Sequence, residues 1–289
     1  MATSPSCVLV TGCSSGIGRA TAIHLADRWT VYATARRPES IADLEAKGCR
    51  LLPLDVTDHS SAQAAVKAVE DEHGAVGALV NNAGYGLHGA VETVSIEDAR
   101  REFETNFFGL AYLTQLVLPG MRRQRSGRVV NISSMGGKVT LPGGGFYHAS
   151  KFAVEALSDA LRFELRNFGV HVIVIEPGLV KTEFGSTAVG TVGDHSADGP
   201  YGSFNAALSA KIDSAYKGLL GRTAASPEGI ARLIGRALAS PRPRTRYVKP
   251  MSTRALLFAK RVLPDKVFDA LLRTQYPSPS PEKKDGVGR

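Results

Sequence analysis

The 289-residue chain is 43% hydrophobic and 21% charged, an ordinary balance for a globular protein long enough to bury a large core without disulfides or a structural metal. Its formal charge of +8 comes wholly from residues 242–289, where 12 basic residues face 4 acidic ones, so the bulk of the chain is neutral and gives no reason to expect nucleic-acid binding. Cys7, Cys13 and Cys49 are odd in number and lack metal-ligand spacing, which argues against a zinc site or disulfide framework and for reduced thiols in the cytoplasm. No run of about 18 apolar residues suggests a membrane span, and the short polar start, Met1–Ser6, has no basic segment, so no signal peptide is expected.

Strand-like and helical stretches then alternate. Cys7–Val10 reads as a first strand, Ile17–Asp27 as a helix and Thr30–Ala35 as a second strand. Ser40, with Asp43 three residues on, has the form of an N-cap over a short helix. Leu51–Leu54 is a third strand, placed near an edge by Pro53. Asp58–Glu72 is a long helix and Ala78–Val80 a fourth strand. Ser95, with Asp98 three residues on, caps a helix that runs toward Pro119. Arg128–Ile132 is a fifth strand, and Phe146–Phe168 is a helix ended by Gly169. Val170–Ile175 is almost wholly apolar, as a strand covered on both faces would be.

Between Phe184 and Ser226 the pattern weakens into Gly, Ala and Ser, with helical character from Asn205 to Leu220; a stretch of this kind is usually functional or disordered. Ser226-Pro227-Glu228 opens a helix to Ala239, and Arg246–Val248 is a short strand. The alternation predicts one doubly wound α/β domain over residues 1–250, with a parallel sheet, helices on both faces and a substrate lid at about 183–226. Residues 251–276 form a basic amphipathic helical segment, and 277–289 read as a disordered tail.

Two local patterns carry chemistry. The first is Thr11-Gly12-Cys13-Ser14-Ser15-Gly16-Ile17-Gly18, at the first strand-to-helix turn. A helix N-terminus offers unpaired N–H groups and partial positive charge, and glycine lets the backbone approach a diphosphate. Gly12, Gly16 and Gly18 are placed for this, with Ser14 and Ser15 as hydroxyl donors. NAD-specific sites carry an acid about 20 residues further on. Here the second strand ends Ala35-Arg36-Arg37 instead, and forked cations suit a 2′-phosphate, so NADP(H) is the expected cofactor.

The second pattern is Tyr147 and Lys151, one helical turn apart on one face, with Ser134 just past a strand's carboxyl end. Carbonyl reduction needs a proton for the oxygen. A free phenol has pKa about 10, and a nearby ammonium favours its ionised form. Ser134 can hold the substrate oxygen where charge develops. His148 points about 100° away from Tyr147 around the helix, which assigns it a structural or rim place rather than a catalytic one. Cys13 reads as a packing residue, and Tyr85, His88 and Leu141–Phe146 as candidates for the pocket border.

Together, Thr11–Gly18, Asp55-Val56, Asn81–Gly84, Asn106, Ser134, Tyr147–Lys151 and Pro177-Gly178 resemble the short-chain dehydrogenase/reductase superfamily, in wording closest to its hydroxysteroid and retinol dehydrogenase branch. The resemblance implies an oxidoreductase that interconverts a ketone or aldehyde and an alcohol on a lipophilic, steroid- or retinoid-like substrate. It implies that Asp55 and Val56 flank the adenine and that Asn82, Ala83 and Gly84 line the cofactor. It further implies that Asn106 holds a relay water, that Lys151 also binds the nicotinamide ribose, and that Pro177, Gly178, Val180 and Thr182 lie along the nicotinamide. It suggests a homodimer or homotetramer. A ketoacyl-type reductase would share every catalytic residue, and a non-enzymatic dinucleotide sensor would share the fold. In the tail, Leu256, Leu257, Phe258, Val267, Phe268, Leu271 and Leu272 join the basic excess in a segment suited to peripheral membrane contact or to packing on its own domain or a second subunit.

Overall fold

The structure is a computed structural model that describes residues 7–193, 199–217 and 223–276. Among these, seven strands form one parallel sheet in the order β3-β2-β1-β4-β5-β6-β7. They are β1 (Cys7–Val10), β2 (Thr30–Ala35), β3 (Arg50–Pro53), β4 (Ala78–Asn81), β5 (Gly127–Ile132), β6 (Val170–Pro177) and β7 (Arg246–Lys249). Pro53 does sit on an edge strand, where its missing N–H costs no ladder bond. The order reverses between β1 and β4, and that switch point opens a crevice at the strands' carboxyl ends.

Both faces are covered, which is why β1, β4 and β5 are buried at every position and mostly apolar. Val8 and Val10 pack toward α1 (Gly16–Ala26) in a core that also contains Leu25, Ile230 and Ile234. The alternate residues Cys7 and Leu9 pack toward α2 (His59–His73) in a core with Leu113, Val117 and Leu161. Cys7, Cys13 and Cys49 are all buried.

Helix starts follow their capping chemistry. Ser95 accepts from Asp98 N–H at 3.0 Å, opening α3 (Ile96–Phe103) as expected. After α3, a single wide turn, Glu104–Phe108, with π-type spacing leads into α4 (Gly109–Arg123), so one helical rod runs through Pro119. Ser40 is not an N-cap. The short 3₁₀ segment begins earlier, at Pro38, because proline suits a first turn. Ser40 Oγ instead donates to the Arg37 carbonyl at 2.7 Å.

α5 (Gly145–Glu164) carries Tyr147 and Lys151 and ends through a 3₁₀ turn at Gly169, whose φ of 71° needs a glycine. Arg246 on β7 fixes this helix to the sheet: it pairs with Glu155 at 3.1 Å and Asp159 at 2.8 Å on α5, and with Glu176 at 3.2 Å on β6. The weakly patterned stretch holds two helices, α6 (Phe184–Gly193) and α7 (Gly202–Lys217). The first was not expected from its Gly, Ser and Thr content; it is packed against α7 rather than sustained by propensity. The second starts three residues earlier than expected, and the end foreseen at Leu220 lies outside the described residues. Ser226 accepts from Gly229 N–H at 3.0 Å to open α8 (Pro227–Ala239). After β7 come α9 (Met251–Val262) and α10 (Asp265–Arg273). The tail expected to be disordered, 277–289, also lies outside the described residues.

Candidate active site

The glycine turn is held open by close backbone packing. Gly12 (φ 70°) and Gly16 (φ 57°) adopt left-handed conformations that disfavour any side chain. A Cβ on Gly18 would lie 2.2 Å from Gly12 O and 2.4 Å from Asn82 Nδ2. Asn82 Nδ2 donates to the carbonyls of Thr11 (2.8 Å) and Gly12 (3.1 Å), while Thr11 Oγ1 accepts from the N–H groups of Asn82 and Ala83, both at 2.9 Å. The end of β4 is thereby bolted to the loop after β1. Ser15 caps α1 without using its side chain, so its hydroxyl and that of exposed Ser14 remain available beside the amides of Gly16 and Ile17. Thr182 reaches this loop from beyond β6: its Cγ2 would touch a Cβ on Gly16 at 3.3 Å.

Arg36 and Arg37 are exposed directly after β2, the strand beside β1. Asp55 is spent locally, accepting from Thr57 N–H (2.9 Å) and Thr57 hydroxyl (2.8 Å), and Val56 is buried with the α2 core. Gly178 donates to Lys249 O at 2.8 Å, and a Cβ there would lie 2.0 Å from Thr253 Oγ1. Pro177 ends β6 beside it, whereas the Val180 side chain belongs to the core packed on α1 and α8 and leaves only its backbone to the cleft. The cradle at Gly12–Gly18, with cations and no carboxylate after β2, fits a dinucleotide phosphate group.

Ser134, Tyr147, Lys151 and Asn106 converge at the carboxyl ends of β4 and β5. Ser134 and the Tyr147 ring close around Gly136, where a Cβ would lie 3.4 Å from each, and the Ser134 oxygen accepts from Gly136 N–H at 3.0 Å. Lys151 Nζ donates to Ile132 O at 3.0 Å and lies 6.0 Å from the Tyr147 ring centre. The wide turn points Asn106 inward, where Nδ2 donates to Tyr85 O (2.8 Å) and Ser150 Oγ (3.2 Å) and Oδ1 accepts from Tyr85 N–H (3.0 Å). A Cβ on Gly84 would lie 2.7 Å from Asn106 Oδ1 and 3.6 Å from Lys151 Nζ, so Gly84 is the spacer that lets both approach the cleft.

Burial dominates the electrostatics. It pushes the Tyr147 phenol well above the ordinary phenol range, against the lowering effect of Ser134. It pulls the Lys151 ammonium down to about 8, opposed by the charge of Glu102. Glu102, one turn before Asn106, is raised to about 8 by its burial; Oε1 accepts from Leu87 N–H at 2.8 Å, and Oε2 is buried without a partner.

Three residues not assigned contacts from sequence complete the surroundings. The rings of His88 and Phe184 lie 5.6 and 5.4 Å from that of Tyr147, leaving the phenol 8% exposed beneath α6. His88 stands where it was a candidate for the pocket border, whereas Phe184, at the start of a weakly patterned segment, was concealed. Glu102 was concealed as one charge among many on an acidic and basic helix. His148, set aside from catalysis, accepts from Leu141 N–H at 3.3 Å and steadies the loop before α5. Cys13 is fully buried, its thiol pushed up to about 12.

The short chain dehydrogenase family model matches residues 6–191. The chain is 34% identical over 268 residues to the oxidoreductase YbbO of Escherichia coli, covering 92% of this chain and 93% of that one. It is 37% identical over 276 residues to an NADPH-dependent 3-dehydrocapnine reductase of Ornithobacterium rhinotracheale, covering 91% and 94%. A short-chain dehydrogenase of Streptomyces avermitilis superposes with a TM-score of 0.76 at 34% identity, covering 93% and 96%. A serine dehydrogenase complexed with NADP+ superposes with 0.74 at 28% identity, covering 85% and 95%. With the phosphate cradle and the Ser134–Tyr147–Lys151–Asn106 cluster built on this sheet, the chain is an oxidoreductase that belongs to the short-chain dehydrogenase/reductase family.

Proposed function

We propose that the protein is an NADP(H)-dependent oxidoreductase that interconverts a lipophilic, steroid- or retinoid-like ketone or aldehyde and its alcohol. The observation that carries this reading is the gathering of Ser134, the Tyr147 ring and buried Lys151 at the carboxyl end of β5. NADPH, when bound, supplies the hydride. Tyr147, kept neutral by burial, donates its proton to the substrate oxygen as charge develops there. Ser134 donates to that oxygen and holds it. Lys151 stabilises the phenolate left behind, and Asn106 supports the path by which its proton is restored.

The two arginines after β2 support NADP(H), as do the relative named NADPH-dependent and the related structure complexed with NADP+. Phe184 over the phenol, and the apolar packing of Val192, Phe204 and Leu208 between α6 and α7, support an apolar substrate under a lid at about 183–226. We place the enzyme in the cytoplasm as a homodimer or homotetramer, consistent with exposed Phe108, Phe152 and Phe163 around α4 and α5. Among the described residues, no helix is long and apolar enough to cross a membrane.

NADPH oxidation against ketones, aldehydes, steroids and retinoids, with NADH in parallel, tests the reading. Tyr147→Phe is expected to lose about 10²- to 10⁴-fold in turnover while still quenching on NADPH titration. Undiminished turnover in the variant, or none in the wild type across the panel, would refute it.

A further inference from the structure

The α9–α10 hairpin presents an apolar stripe bordered by cations. On α9, Met251 is 70% exposed, Phe258 67% and Val262 55%; at 100° per residue they fall within about 40° of one another, with exposed Arg254 and Arg261 along one side. On α10, Val267 (46%) and Leu271 (49%) lie one turn apart, with Lys266 and Arg273 exposed. The inner side is pinned. Thr253 and Phe268 are buried, and Lys260 joins the two helices by pairing with Asp265 at 2.6 Å and lying 4.9 Å from the Phe268 ring centre.

The hairpin is also fastened to the cover over the active site. Lys211 on α7 donates to Gln275 O at 2.7 Å and lies 4.4 Å from the Tyr276 ring centre. Tyr276 packs with Val192 of α6 and with Phe204 and Leu208 of α7. α6 begins at Phe184, whose ring covers Tyr147. A force on the hairpin therefore reaches the residues that close the phenol off.

We propose that the α9–α10 hairpin rests on an anionic lipid bilayer, and that this contact loosens α6 and α7 so that a lipophilic carbonyl compound enters from the membrane. The partner follows from charge: residues 242–289 hold the protein's entire positive excess, and Met251, Phe258, Val262, Val267 and Leu271 among them are exposed. Apolar insertion together with several cations is the combination that binds anionic interfaces, while neither helix is suited to span them. Only the entry step rests on the reductase reading; the docking does not.

The test is flotation of the full-length protein with phosphatidylcholine vesicles and with mixed phosphatidylcholine–phosphatidylglycerol vesicles. Binding is expected to the anionic vesicles alone, lost at about 0.5 M salt as screening shortens. Phe258→Ser/Val262→Ser and Arg254→Gln/Arg261→Gln are each expected to lower bound protein at least tenfold. Both should keep wild-type NADPH oxidation with a small water-soluble carbonyl and lose it selectively with a vesicle-embedded one. No flotation at low salt, or flotation unchanged in both variants, overturns the docking. A shift of the Phe258→Ser/Val262→Ser variant to a smaller assembly on gel filtration, without any vesicle effect, assigns the stripe to a second copy and overturns it equally. Wild-type flotation with no turnover on the soluble carbonyl would instead fault the reductase reading alone.

Discussion

Lys151 Nζ is anchored to the carbonyl of Ile132 at 3.0 Å, so the amine that serves Tyr147 is fixed to the end of β5 rather than swinging from its helix. Its pKa falls from 10.5 to about 8 through burial. The unfolded chain binds the extra proton between those values, so this group costs stability below pH 8 and the cost disappears as pH rises toward 10.5. At full effect that is about 3 kcal/mol. Lys151→Met is therefore expected to abolish turnover yet melt higher than wild type at pH 6–7, with the advantage gone near pH 10.5. Thermal melts of the cofactor-free proteins across this range check it; a variant that melts lower at pH 6 contradicts it.

Glu102 has the opposite sign. Burial raises its carboxyl from 4.5 to about 8, so the folded state holds the proton more tightly. Its stabilising contribution is complete below pH 4.5 and is lost as pH rises through 8. Glu102→Gln keeps an acceptor for Leu87 N–H and cannot ionise. It should match wild type in melting temperature near pH 4 and exceed it at pH 9. Parallel pH dependence in the two proteins would dismiss the assignment.

Arg36 and Arg37 stand where a carboxylate would select NAD. Each charged hydrogen bond to a 2′-phosphate is worth about 1.5–3 kcal/mol. Arg36→Ala/Arg37→Ala should weaken NADPH binding by about tenfold or more per arginine and leave NADH binding nearly unchanged, erasing the preference. Fluorescence titration with both cofactors decides the matter, and an equal loss for the two would point to damage elsewhere.

Gly18 is the sterically critical glycine of the phosphate turn, since a Cβ there meets Gly12 O at 2.2 Å. Gly18→Ala must displace backbone, not a flexible side chain, at a cost of about 1–3 kcal/mol. NADPH affinity should fall more steeply than folding stability does. Calorimetric titration beside a thermal melt separates the two, and wild-type affinity in the variant would remove the phosphate role from this turn.

Short-range chemistry was legible in the sequence. The caps at Ser95 and Ser226, the glycine turn, the apolar strands and the four-residue interval between Tyr147 and Lys151 act within a few residues. Each can therefore be read without knowing what lies across the fold. The α/β alternation likewise determines a parallel sheet, because a helix must return the chain between strands. The cap assigned to Ser40 failed because Pro38 initiates the turn first.

Tertiary structure decided everything that joins distant segments. The wide turn at Glu104–Phe108 that points Asn106 inward, the burial that gives Glu102 its tight proton, the rings of His88 and Phe184 over Tyr147, and the Tyr276 contact with the α6–α7 cover arise only when separate elements pack. Desolvation and ring contact depend on what surrounds an atom in space, and one-dimensional order carries that information only where the surroundings are also neighbours in the chain.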